Sequence, residues 1–242
     1  MRAKNGEVQQ ARKMEHLVRG ILCLLGILLL SGPLASAQEP GANQQILAAV
    51  GQQIGQSMQA LTGYSYQQRT EVQVNGETKS VQLAQVAFGP DKQPLITPIS
   101  SQPSEDTGRG LRGRIKREKA EEMKEEVQQL AQLANGYLML KGAQIQQLIQ
   151  QGQVWVNPGS GSVRVDVSNF LQPGDHMTMN CDGMTKNRMQ AQVQAVSNGT
   201  PLTINAVFQT LPTGLDYLAQ TTINVPSKGL QITINTLNYI KQ

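Results

Sequence analysis

The chain has 242 residues, with 21 basic and 17 acidic side chains and a formal charge of +4. Five of those basic and two of those acidic side chains fall within the first 37 residues, so the remainder carries only +1 and its charge leaves no nucleic-acid footprint. About 205 residues are enough to bury one ordinary core, and the single cysteine left in them, Cys181, excludes an intramolecular disulfide.

The first 37 residues read as a cleaved secretory signal peptide. Arg2, Lys4, Arg12, Lys13 and Arg19 precede an apolar block at 21–30, which Ser31-Gly32-Pro33 ends before the small-residue box Ala35-Ser36-Ala37. Cleavage is expected after Ala37, which makes the protein exported, periplasmic or extracellular. An uncleaved anchor would need roughly 20 apolar residues without that break. Lipidation at Cys23 would need small residues before it, where Ile21 and Leu22 stand.

Residues 38–242 are then expected to form a single α+β domain. Ile46, Leu47, Val50, Ile54, Met58 and Leu61 recur at three- and four-residue steps, which predicts an amphipathic helix over 44–61. Residues 64–74 and 77–88 alternate apolar and polar around Asn75-Gly76, a strong signal for a two-residue hairpin turn. A short extended piece at 92–99 follows, limited by Pro94 and Pro98. Residues 100–114 lack apolar periodicity and read as a flexible basic loop. Its cations Arg109, Arg112 and Arg114, with Lys116 and Arg117 just after, are candidates for contact with anionic lipid headgroups, a membrane surface or an acidic envelope protein. The bland reading is a solvated run balanced by Glu118, Glu121 and Glu122.

A second helix is predicted over 115–140, with Met123, Val127, Leu130, Ala134 and Tyr137 along one face, and a short third helix over 142–151. From residue 154 the chain becomes a meander. Six alternating runs are broken by short Gly-, Asn- and Pro-bearing turns, which favour hairpins over crossovers. Val165, Met177, Met179, Met189, Ala191, Val193, Ile204 and Ala206 share the apolar parity, whereas Gln, Asn and Thr dominate the other, so one face of the sheet should be dry and the opposite one wet. Trp155 reads as a core plug and Cys181 as a buried, inert thiol.

No local catalytic signature stands out, and neither a metal nor another cofactor is expected. His176 is the one histidine after residue 37, so a serine triad or a metal site would have to be built around it alone. Gly159-Ser160-Gly161 lacks the strand-to-helix context of a nucleophile elbow or phosphate loop. The expected function is non-enzymatic.

The order of elements resembles the LolA/LolB-type lipoprotein carriers and related, uncharacterised secreted bacterial proteins. A leading helix, a hairpin opening at Tyr64-Ser65-Tyr66, inserted helices, and a closing meander with Asp182-Gly183-Met184-Thr185-Lys186-Asn187-Arg188 and Leu211-Pro212-Thr213-Gly214 carry that resemblance. It implies a curved antiparallel sheet, a half-barrel of hairpin plus C-terminal meander, covered on its apolar face by two or three helices. It further implies a lipid or lipoprotein acyl chain between them. The candidate lining is Met123, Val127, Met177, Met179, Met189, Ala191 and Ala206, where polarizable Met and small Ala would accommodate a guest. The competing reading makes the protein a structural or protein-interaction module of the cell envelope.

Overall fold

The computed structural model describes residues 40–103, 111–139 and 142–242. The leader and its cleavage site, like Arg109, lie outside the described residues. Three helices, α1 (Pro40–Leu61), α2 (Leu111–Leu138) and α3 (Gly142–Gln150), accompany ten strands. These are β1 (Tyr64–Val74), β2 (Glu77–Phe88), β3 (Pro94–Pro103), β4 (Val154–Pro158), β5 (Ser162–Ser168), β6 (His176–Asp182), β7 (Arg188–Ser197), β8 (Thr200–Thr210), β9 (Asp216–Val225) and β10 (Leu230–Lys241). Apart from the first turn of α1, all of this belongs to one compact unit, Asn43–Gln242.

All ten strands join one open antiparallel sheet in the order β3-β2-β1-β10-β9-β8-β7-β6-β5-β4. The N-terminal hairpin therefore extends the meander through β1 and β10, with Val72 opposite Ile232 and Val74 opposite Leu230. Two hairpins turn through Asn-Gly pairs: Asn75 and Gly76 have φ of 52° and 79°, and Asn198 and Gly199 have 50° and 76°. Both residues take positive φ, which matches the right-handed twist of the flanking strands.

Alternation along the strands places Val165, Met177, Met179, Val193, Ile204, Ile223 and Ile232 in one buried cluster, which also contains Leu47, Val50 and Ile54 of α1, Leu130, Ala134, Tyr137 and Leu138 of α2, and Leu148 of α3. Helix and strand stripes thus meet the same dry volume, and removing their apolar surface from water contributes about 25 cal/mol per Å².

Three expectations change. Both ends of the expected loop 100–114 are regular structure: β3 continues to Pro103, and α2 already begins at Leu111; 104–110 lie outside the described residues. Pro94 and Pro98 do not stop β3 because it is an edge strand, with one side free of ladder partners. Trp155 is 51% exposed and no core plug, since β4 turns Val156 inward beside Val165 and Trp155 outward beside Asp166. Met189 is 38% exposed and leaves the candidate lining. The register jumps there, from Asn180 opposite Gln190 to Cys181 opposite Arg188, so Met189 is the extra residue of a bulge and Arg188 takes the inward place.

Candidate functional site

Between helices and sheet, Leu47, Val50 and Gly51 of α1 and Leu148 of α3 face Val154, Val165, Val167, Met177 and Met179 around a void of about 20 Å³. Every side chain around it is apolar, so a water there would find no partners and the void is dry. An acyl chain needs far more room, on the scale of the roughly 300 Å³ at which ligand pockets begin. In this conformation the space between these side chains is filled.

The floor has one shallow row. Met179 stands opposite Ala191, Ala191 opposite Ala206, and Ala206 opposite Thr221, all buried. Met177, Met179, Ala191 and Ala206 are thus brought together, while Met123 and Val127 of α2 are half-buried against the same cluster. Arg112, Arg114, Lys116 and Arg117 fall in the first two turns of α2, whose opening turn holds no acidic residue.

Polar groups tie the helices to the sheet, and sequence reasoning missed most of them. Arg188 and Asp216 form a buried ion pair at 2.6 Å, with side chains 3% and 1% exposed. The Arg188 guanidinium also donates to the Leu138 carbonyl at 3.2 Å and lies 4.3 Å above the Phe208 ring. Among the described residues only Oδ2 of Asp216 is bonded, and buried Oδ1 has no partner. Nearby, Asn187 accepts from Gln53 of α1 at 2.7 Å and donates to the Gly214 carbonyl at 3.0 Å. Asp175 takes the Tyr137 hydroxyl at 2.8 Å together with the amides of Phe170, Leu171 and Gln172. Burial and then the Asp175 carboxylate hold the Tyr137 phenol above its ordinary value. No local pattern announces these pairs, because the partners lie 28 to 134 residues apart.

The heptapeptide at 182–188 is a tight turn. Asp182 Oδ1 accepts from the amides of Met184 and Thr185 and from the Thr185 hydroxyl, and these bonds hold its carboxyl below the usual range. A Cβ on Gly183 would meet the Gly161 carbonyl carbon at 2.7 Å, so this position requires glycine for close approach.

Burial pushes the Cys181 thiol up to about 12, which leaves about one thiolate in 10,000 at pH 8. Ellman's reagent should therefore leave Cys181 of the native protein unmodified at pH 8 and titrate it in urea; rapid native reaction of Cys181 would contradict the burial. The raised value also has a sign for stability. Above pH 9 the unfolded thiol ionises while the native one does not, so this group lowers stability as pH rises.

On the opposite face, Ser168 Oγ lies 3.3 Å from Nδ1 of His176, and Asp166 Oδ1 lies 3.7 Å from Nε2. The trio has the composition of a nucleophilic triad but not its setting. Asp166 is already held by Arg164 through three contacts and by the Thr178 hydroxyl at 2.7 Å. Burial works to raise the Asp166 carboxyl, and those hydrogen bonds with the Arg164 charge outweigh it, so the net shift is downward. The Ser168 amide is spent on the Gln153 carbonyl, so it offers no oxyanion donor. The network braces β5 to β6. Among the described residues no three His, Cys, Asp or Glu side chains gather to hold a metal ion, and no helix is long and apolar enough to cross a membrane.

No protein-family model matches the chain. No curated protein matches it either. Four solved chains match it in three dimensions. One is the crystal structure of a DUF1329 family protein from Desulfovibrio piger, 10% identical, with 82% of this chain and 92% of that chain covered and a TM-score of 0.37. The likeness is one of coarse arrangement.

Proposed function

We propose that the protein is an exported, non-enzymatic carrier that shelters a lipid or acyl chain between α1–α3 and the apolar face of a sheet curled into an open half-barrel. The observation that carries this reading is the all-apolar seam shared by helices and strands, with the buried Met179-Ala191-Ala206 row running on from it across the sheet. The described conformation is then the closed, unloaded form. Uptake lifts the helices, and the chain replaces contacts the helices give up, so the exchange of one apolar neighbour for another costs little free energy. Unbranched methionines suit such a floor because they repack around different guests. The basic run at the start of α2 adds cations to the positive end of a helix dipole, a combination suited to anionic headgroups.

Delipidated protein titrated with a fluorescent fatty acid tests the reading. Saturable binding near one per chain is expected, and Ala191→Leu should weaken it at least several-fold while unfolding remains cooperative. No saturable binding, or binding indifferent to that substitution, would sink the carrier reading.

One observation favours a second reading, a protein-interaction module of the envelope. Edge strand β3 exposes Leu95, Ile96 and Ile99 by 50% or more, the kind of open, apolar edge that another chain can pair with. Under the carrier reading Leu95→Lys leaves fatty-acid uptake intact.

A further inference from the structure

The face opposite the core carries a second pattern that the carrier reading does not use. Cross-strand registers align its side chains into rows, so that Thr178 stands beside Gln192, Gln192 beside Asn205, Asn205 beside Thr222 and Thr222 beside Thr233. From β7 to β10 this row and the two flanking it, Gln194-Thr203-Asn224-Gln231 and Gln190-Val207-Gln220-Asn235, hold no ionisable side chain. Neighbouring rungs are about 4.8 Å apart, and each amide offers donors and acceptors together. Thr178, Asn180, Gln190, Gln192, Asn205 and Val207 line a shallow depression of about 240 Å³ in this array. Along the same row, two strands beyond Thr178, Trp155 stands 51% exposed next to Asp166.

We propose that this face is a binding site for a neutral polysaccharide, with Trp155 as the stacking platform and the Gln192-Asn205 depression as the hydroxyl-reading subsite. Charge match argues for that partner. An anionic polymer or headgroup would find no free cation on these three rows, since Arg164 at one margin is engaged by Asp166 and Arg69 at the other by Glu71. A protein partner would want an apolar, aromatic-rich centre, which these amides do not provide. A sugar ring presents hydroxyls around its rim, each both donor and acceptor, and an apolar C–H face for an indole. The array offers the complement of both. Arg164 and Asp166, between the tryptophan and the depression, add a neutralised pair whose outer atoms can bond a hydroxyl without attracting charge. Ala191 and Ala206 also line this depression, but Trp155, Gln192 and Asn205 do not line the apolar seam.

Affinity electrophoresis in native gels cast with hydroxyethyl cellulose, laminarin or dextran tests it, with alginate as the anionic control. Retardation by at least one neutral polymer is expected and none by alginate. Trp155→Ala and Gln192→Ala, both at exposed positions, should each weaken it roughly tenfold. Gln192→Glu should weaken it as well, with circular dichroism unchanged in all three. Migration indifferent to every neutral polymer, retardation equal in the variants, or equal retardation by alginate would each overturn the proposal. Fatty-acid uptake should be the same in all three variants, so failure of the glycan site and failure of the carrier reading give different results.

Discussion

Replacing Arg188 with alanine is expected to remove about 3–5 kcal/mol of folding stability, read as a lower urea midpoint, because Asp216 would be left buried without its countercharge. The loss has a second part: the Leu138 carbonyl, near the end of α2, gives up its guanidinium donor. The pair itself need not be net stabilising, since both ions surrender their hydration. Arg188→Met combined with Asp216→Leu should therefore recover most of the loss, and it also removes the unbonded Oδ1. A single-mutant loss below about 1 kcal/mol would mean that water reaches Asp216 in solution.

Tyr137→Ala is expected to cost about 3–5 kcal/mol, in the range of a buried aromatic truncated to alanine. Its ring is fully buried and lies 5.9 Å from that of Phe170, and its hydroxyl reaches Asp175 across the same packing. Tyr137→Phe separates the two contributions. It keeps the ring and deletes only the hydroxyl donor, and three backbone amides still hold Asp175, so about 1 kcal/mol should be lost. Chemical denaturation of both variants checks the pair; equal losses would place the burden on the hydrogen bond instead of the ring.

Much of the sheet was legible because period-two alternation and Asn-Gly turns are local. Tyr64–Val74 and Glu77–Phe88 follow from them with no knowledge of the rest. Failures came where a tertiary feature interrupts the period. At Met189 one extra residue in β7 exchanges the faces, sending a methionine out and an arginine in. Trp155 misled for a different reason: large aromatics belong to cores on average, but β4 is a five-residue edge strand on which Val154 and Val156 turn inward and Trp155 between them turns outward. The start of α2 was hidden because Leu111-Arg112-Gly113-Arg114 carries one apolar side chain and shows no stripe. The floor residues Met177, Met179, Ala191 and Ala206 were readable from parity alone, whereas the Arg188-Asp216 and Tyr137-Asp175 clamps needed the fold to bring them together.

Those clamps bear on the carrier idea. The Gln53-Asn187, Tyr137-Asp175 and Arg188-Leu138 bonds hold α1 and α2 in place while apolar side chains fill the space between helices and sheet. Under the carrier reading, loading would loosen these contacts, and a guest chain entering as the helices lift would keep the apolar face dry.

Native mass spectrometry of the delipidated chain incubated with a long-chain fatty acid and a lysophospholipid tests this most directly. The account predicts a mass increment of one acyl-bearing molecule per chain, reduced by Ala191→Leu. A spectrum that stays at the bare chain mass under conditions where a known fatty-acid carrier loads would contradict it.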